Sequence, residues 1–140
     1  MKMAIPVILP LAIGALVLAG CAKVASDVRK ARPLASLEGS EWGPETLPTP
    51  EQFVAFKAGG EIRGFGGCNQ FFGQYSQEGQ TLTIGALAST KKFCADVMQA
   101  ENRFLQTLQE TRKIEATHVT LRLYDAEGQQ LMQLRRRDWD

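Results

Sequence analysis

The 140-residue chain has one histidine, His118, and three cysteines, Cys21, Cys68 and Cys94. So few soft ligands argue against a closed zinc centre, which wants about four. A cysteine hydrolase would have to use His118 as its base. That residue stands between Thr117 and Val119 at the start of an expected strand, where an edge histidine is the simpler reading. Neither sign of charge is in excess, with 16 Lys and Arg against 15 Asp and Glu. Composition therefore implies no nucleic-acid partner. The one basic cluster, Arg135-Arg136-Arg137, is followed by Asp138 and Asp140 and reads as a solvated chain end. Long apolar runs are also missing, except at the start of the chain.

That run extends from Met3 to Gly20 behind Lys2 and ends in Leu18-Ala19-Gly20-Cys21. A basic start, an apolar stretch and small residues before a cut site are the parts of a secretory signal. The tetrapeptide resembles the bacterial lipobox, which implies cleavage before Cys21 and acylation of its thiol and new N-terminus. An uncut anchor is the alternative, since about 20 apolar residues span a bilayer. Residues 1–20 are thus expected to be a signal peptide. Residues 21–36, with Lys23, Arg29, Lys30, Arg32 and Pro33, are expected to be a lipidated tether able to lie against anionic head groups. Ala22 follows the cysteine where an Asp would favour inner-membrane retention. In a Gram-negative host this points to the outer membrane, facing the periplasm.

A domain is expected over residues 37–136, followed by a tail at 137–140. Trp42 is its first large aromatic, and Gly43-Pro44 and Pro48-Thr49-Pro50 punctuate the loop after it. Gln52–Lys57 and Glu61–Gly66 form a hairpin around Ala58-Gly59-Gly60. Four glycines between Gly64 and Gly73, mixed with aromatics, suit close backbone contacts or a strand corner. The stretch lacks the Lys-Ser/Thr ending of a phosphate loop. Gln77-Glu78-Gly79-Gln80 turns the chain into Thr81–Leu87, where Leu82 and Ile84 share one face. Ala95–Gln109 reads as a helix with an apolar stripe of Val97, Met98, Phe104, Leu105 and Leu108, interrupted by Glu101. Ile114–Ala116, Val119–Tyr124 and Gln130–Arg136 complete the strands. The expected fold is mainly β (α+β): a small antiparallel, barrel-like curved sheet of about seven or eight strands with one α-helix before the last strands.

With Cys21 acylated, Cys68 and Cys94 are left in a compartment that permits disulfides. A bridge would close a loop of roughly 27 residues, stabilising the fold by about 3–4 kcal/mol in the chain-entropy model. Redox work lacks the Cys-x-x-Cys spacing, and zinc lacks ligands. Glu101, on an apolar helix face, must be paired, hydrogen-bonded or at a wet edge. Asn69 suits a left-handed turn, and Thr90 a turn or helix start. Asn69, Thr90 and Glu101 are expected to form a structural polar network around the bridge. Phe65, Phe71, Phe72, Tyr75 and Phe93 are expected mostly to fill the core, with a minority lining a cavity.

Gly66-Gly67-Cys68-Asn69, Phe72-Gly73, Tyr75 and Gly79 resemble the signature of the META domain. The continuation through Leu82, Ile84, Leu87-Ala88-Ser89-Thr90, Cys94, Met98, Glu101, Phe104-Leu105 and Leu108 does so too. The likeness covers Leu37 to Arg136 and includes the HslJ-like heat-shock lipoproteins. It implies a small barrel-like sheet with one helix and an envelope setting. It also implies links to heat stress or to resistance against hydrophobic antibiotics, and a likeness to secretin pilots. It brings no catalytic residues, metal or cofactor. The expected function is a non-enzymatic envelope lipoprotein, a binding or stress-protective component held at the membrane by lipid on Cys21. Its partner would be an envelope protein or an apolar ligand. A carrier of lipid or of a hydrophobic small molecule, and a secretin-pilot-like assembly factor, are the alternatives.

Overall fold

Alternation of apolar and polar side chains along each extended segment decides which side chains enter the core. In the computed structural model, residues 18–45 and 51–138 are described. Most of the expected signal peptide and the Pro48-Thr49-Pro50 loop lie outside them. A helix, α1 (Leu18–Ala31), precedes nine strands. These are β1 (Ser40–Pro44), β2 (Phe53–Phe56), β3 (Glu61–Phe65), β4 (Gln70–Glu78), β5 (Thr81–Ile84), β6 (Ala88–Ser89), β7 (Lys113–Ala116), β8 (Thr120–Tyr124) and β9 (Gln130–Arg136). A second helix, α2 (Met98–Glu110), stands between β6 and β7. The fold is mainly β, as expected, with one strand beyond the upper end of the expected range.

All the pairings are antiparallel, in the order β3-β2-β1-β9-β8-β7-β5-β4-β6. A further β3–β4 pairing closes the strands from β3 round to β4 into a ring, and the short β6 also pairs with β4. Closure removes the open edges that would otherwise invite pairing with other chains. The thinnest seam is β5–β7, which has a single ladder pair, Thr81 with Lys113. It is reinforced by hydrogen bonds from Leu82 N to Arg112 O at 3.0 Å and from Ile114 N to Gln80 O at 2.8 Å. The chain joins the ring at β7, where Pro33 bridges to Thr117 and Leu34 N donates to Ala116 O at 2.8 Å.

Inside the ring, Trp42, Val54, Phe56, Ile62, Phe71, Leu82, Ile84, Ile114, Leu121, Leu123 and Leu134 form one core. Phe104 and Leu108 of α2 belong to it, so the apolar stripe of that helix closes onto the sheet. The buried Trp42 indole donates to Ser40 Oγ at 2.6 Å, and that hydroxyl donates to the Leu37 carbonyl at 2.5 Å. Its polar edge is thus satisfied, as burial requires.

Several expectations need correction. Gly43-Pro44 does not follow Trp42 as a loop but completes β1, pairing with Arg135 and Leu134 of β9. The fifth strand stops at Ile84, and α2 starts at Met98 rather than Ala95. The C-terminal basic cluster folds back on the barrel. Arg137 N donates to Glu41 O at 2.8 Å, and the Arg137 guanidinium meets Glu51 at 2.5 Å and the Phe53 ring at 4.9 Å. Arg136 lies over the Trp42 ring and hydrogen-bonds Asp138, which holds that carboxyl below its ordinary range.

Gly64 sits between Val54 and Phe71 on the inward face. A Cβ there would overlap the Phe53 carbonyl oxygen and the Phe71 ring, neither of which has free space to move. Gly64→Ala is therefore expected to destabilise the fold by about 3 kcal/mol through overpacking. The measurement is a lowered urea midpoint with an unchanged denaturant slope.

Candidate functional site

The link between β3 and β4, residues 66–69, is made of small and polar residues so that a carboxylate can enter it. Glu101, in the first turn of α2, is only 2% exposed. Its Oε2 accepts from Cys68 N at 2.9 Å and Asn69 N at 2.6 Å, and its Oε1 accepts from Asn69 Nδ2 at 2.7 Å. Gly66 is required beside it, because a Cβ would stand 2.6 Å from Glu101 Cγ. The Asn69 side chain then reaches outward. Its Oδ1 accepts from Thr90 Oγ1 at 2.8 Å and Lys92 N at 2.7 Å, and its Nδ2 also donates to Lys92 O at 3.0 Å. The amide orientation is fixed by these partners, since only its oxygen can meet the Lys92 N–H and only its nitrogen the carboxylate.

The structure thus brings Asn69, Thr90 and Glu101 into one hydrogen-bonded group. Cys68 and Cys94 form a disulfide beside it, with Cα atoms 5.9 Å apart at a sequence separation of 26. Every polar atom of the group is engaged with the fold itself. Its chemistry is that of a clamp: it fixes the loop 90–97 and the entry to α2 against the sheet. Gln52 adds a further tie, donating from Nε2 to Gly66 O at 2.8 Å. His118 lies apart in sequence, in the turn between β7 and β8. Cys21 is within α1.

A surface able to receive a partner lies on the outer face of β1–β4. Register places Glu41, Ala55, Arg63 and Phe72 in one row across the four strands, and Phe53, Phe65 and Gln70 in the next. Ala55 is small, so the flanking side chains stand above it and leave a cleft of about 790 Å3. Its apolar walls are Phe53, Phe65 and Phe72, the last 55% exposed. Its rim carries Glu41, Glu51, Glu61, Lys57 and Arg63. Glu61 pairs with Arg63, while Glu41 and Glu51 pair with Arg137.

Sequence reasoning placed most of the signature aromatics inside. Phe71 is buried and Tyr75 partly so, but Phe72 faces out and Phe93 is 82% exposed. Phe53 was read only as part of a strand. The signal for these outward rings was present. In Phe53-Val54-Ala55-Phe56 and Phe71-Phe72, period two cannot put all the aromatics on one face.

Two predictions follow from the clamp. Glu101→Gln keeps the shape but turns an N–H2 toward the Asn69 amide, whose orientation is locked. A loss of about 2 kcal/mol is expected, measured by denaturant unfolding. Cys68→Ala/Cys94→Ala should lower stability by about 3–4 kcal/mol. Mass measurement should find both thiols alkylated only after reduction.

Comparison with known proteins sets this geometry in a family. An NMR structure of a protein from Burkholderia xenovorans superposes with a TM-score of 0.62 at 18% identity, covering 74% of this chain and 85% of that one. A second NMR structure gives a TM-score of 0.56 at 22% identity, covering 71% of this chain and 90% of that one. A crystal structure of a DUF4847 family protein from Bacteroides vulgatus gives 0.50 at 20% identity, covering 64% and 61%. At these identities the likeness is one of fold. No curated protein matches the chain. The model of the META domain matches residues 34–138, from the strand-joining Leu34 through the Asp138 that hydrogen-bonds Arg136, and the chain belongs to the META domain family.

Proposed function

We propose that this chain is a non-enzymatic, lipid-anchored envelope protein whose META domain binds a partner on its outer β1–β4 face. The observation that carries this reading is the aromatic cleft of Phe53, Phe65 and Phe72 on that face. The inside of the ring is occupied by Trp42, Phe56, Phe71 and Phe104, all with almost no exposure. An exposed Phe72 flanked by the half-buried Phe53 and Phe65, beside a filled interior, favours recognition from outside, because a partner that covers this apolar area removes it from water.

The partner that suits this cleft is an apolar segment of another envelope protein, seated between the rings and bordered by the ion pairs at the rim. Such a segment would make the protein a stress-protective or assembly component, of which a secretin pilot is one form. A hydrophobic small molecule is the second reading. It is favoured by the cleft volume of about 790 Å3, within the roughly 300–1,000 Å3 of ordinary ligand sites. Catalysis is not part of the proposal. Cys68, engaged in a disulfide, offers no thiolate.

The anchor rests on Leu18-Ala19-Gly20-Cys21 at the end of the apolar run. Two or more acyl chains hold a protein to a bilayer far more durably than one. Ala22 favours the outer membrane in a Gram-negative host. Cys21→Ser is expected to abolish acyl labelling and move the protein out of the membrane fraction; membrane retention with unchanged labelling would refute the anchor. For the cleft, a photocrosslinker at Phe72 should yield an adduct in cells that one at Thr83, on outward-facing β5, does not. Identical adducts from both positions would remove the cleft from the account.

A further inference from the structure

Four large apolar side chains are exposed among the described residues, and two of them are on α1: Val24 at 64% and Val28 at 59%. The core and the side chains packed on it begin only at Leu34, so the barrel does not cover these valines. Helical spacing groups Val24, Val28 and Ala31 on one side. It puts Lys23, Asp27 and Lys30 together along one flank of that side. Position 21 falls one turn before Val24, on the apolar side. The segment Ala22–Arg32 also carries Lys23, Arg29, Lys30 and Arg32 against the single acid Asp27. No helix among the described residues is long and apolar enough to cross a membrane.

A short helix with one apolar side, a mainly basic flank and no protein cover matches a surface that is apolar below and anionic above. We propose that α1 lies in the plane of an anionic lipid surface, with Val24, Val28 and Ala31 among the upper acyl chains and Lys23 and Lys30 at the head groups. Charge complementarity selects lipid over a protein groove here, because the basic residues flank the apolar side along the whole segment. The geometry has a consequence for the barrel. Residues 21–31 rise about 15 Å along the helix axis. Lying flat, the helix spends that length along the membrane and keeps the barrel close to it. Standing upright, it would lift the barrel away.

This inference shares with the functional reading the attachment of Cys21 to lipid. The test supplies that attachment chemically, so the two can fail separately. Because the core begins at Leu34, a chain from Cys21 to Asp140 retains every core contact. With Cys68 and Cys94 in their disulfide, the Cys21 thiol can be coupled to a maleimide lipid in two kinds of vesicle: phosphatidylcholine alone, or phosphatidylcholine with phosphatidylglycerol. Hydrogen exchange of amides 23–31 is then read by mass spectrometry. Exchange should slow by about tenfold on the phosphatidylglycerol vesicles. The slowing should weaken in high salt and vanish in Val24→Asp/Val28→Asp, while the β-strand amides stay unchanged in that variant. Equal exchange on the two kinds of vesicle overturns the proposal. So does protection that survives Val24→Asp/Val28→Asp. An intact anchor in cells combined with either result would leave Cys21 as a lipid site and α1 as a plain spacer.

Discussion

A carboxylate removed from water is destabilising unless N–H donors replace the lost hydration. Glu101 is placed so deep that the rest of its surroundings must conform to that requirement. Two successive backbone N–H groups and a side-chain amide converge on it. Convergence of Cys68 N and Asn69 N is possible only with the β3–β4 link bent around the carboxyl, and Gly66 leaves the room for that. Asn69, held from one side by Glu101, is held from the other by Thr90 and Lys92. The entry to α2 is therefore fixed by a buried acid at its first turn, while Phe104 and Leu108 hold its later turns on the sheet. The start of the helix has no side-chain cap of its own at Val97. Orphan N–H groups at a helix start are usually met by such a cap. Here the helix entry is positioned by tertiary contacts, and the acid near its N-terminus also lies favourably in the helix dipole.

The same dependence explains which parts of the fold were legible in the amino-acid sequence. Thr81–Ile84 and Thr120–Tyr124 alternate cleanly and were readable as strands with the correct inward face, since period two is a local property. The β1 strand was not readable. Gly43-Pro44 is strong turn punctuation, yet the ladder to β2 ends at Trp42 and Pro44 is needed only opposite Leu134 of β9. The helix start at Met98 was hidden for a related reason. Residues 91–97 are held by the disulfide and by Asn69, which no short window contains. The acid at Glu101 looked out of place on an apolar stripe. Its partners lie 32 and 33 positions earlier in the chain, so the anomaly was visible and the geometry was not.

Aromatic content misled in one respect. Phe65, Phe71, Phe72, Tyr75 and Phe93 are expected from the sequence mostly to fill the core. Adjacent rings such as Phe71 and Phe72 cannot both point inward in a strand. In a closed ring of this size the inside is saturated by one set of side chains. Trp42, Phe56 and Phe71 take that space, and the register of β2, β3 and β4 leaves Phe53, Phe65 and Phe72 as neighbours on the outside. The cleft is thus a by-product of the same alternation that builds the core, deepened by the small residue at Ala55. Its rim carboxylates at Glu41, Glu51 and Glu61 are paired with arginines of the same chain, which lowers the cost of seating an apolar group between them.

Ring order also sets where the chain is held relative to where the cleft opens. Going around the barrel, β7 and β8 stand opposite β2 and β3. The segment leading from α1 joins the sheet at β7, through Pro33 with Thr117 and Leu34 with Ala116. The cleft is centred on β2 and β3. A tether that enters on one side of a closed barrel leaves the opposite side sterically free. Whatever force is applied through α1 acts on the β7–β8 hairpin, whose ladder runs from Lys113↔Tyr124 to Ala116↔Leu121. The clamp at Glu101 and the disulfide instead tie α2 and the loop before it to the β3–β4 link, not to that hairpin.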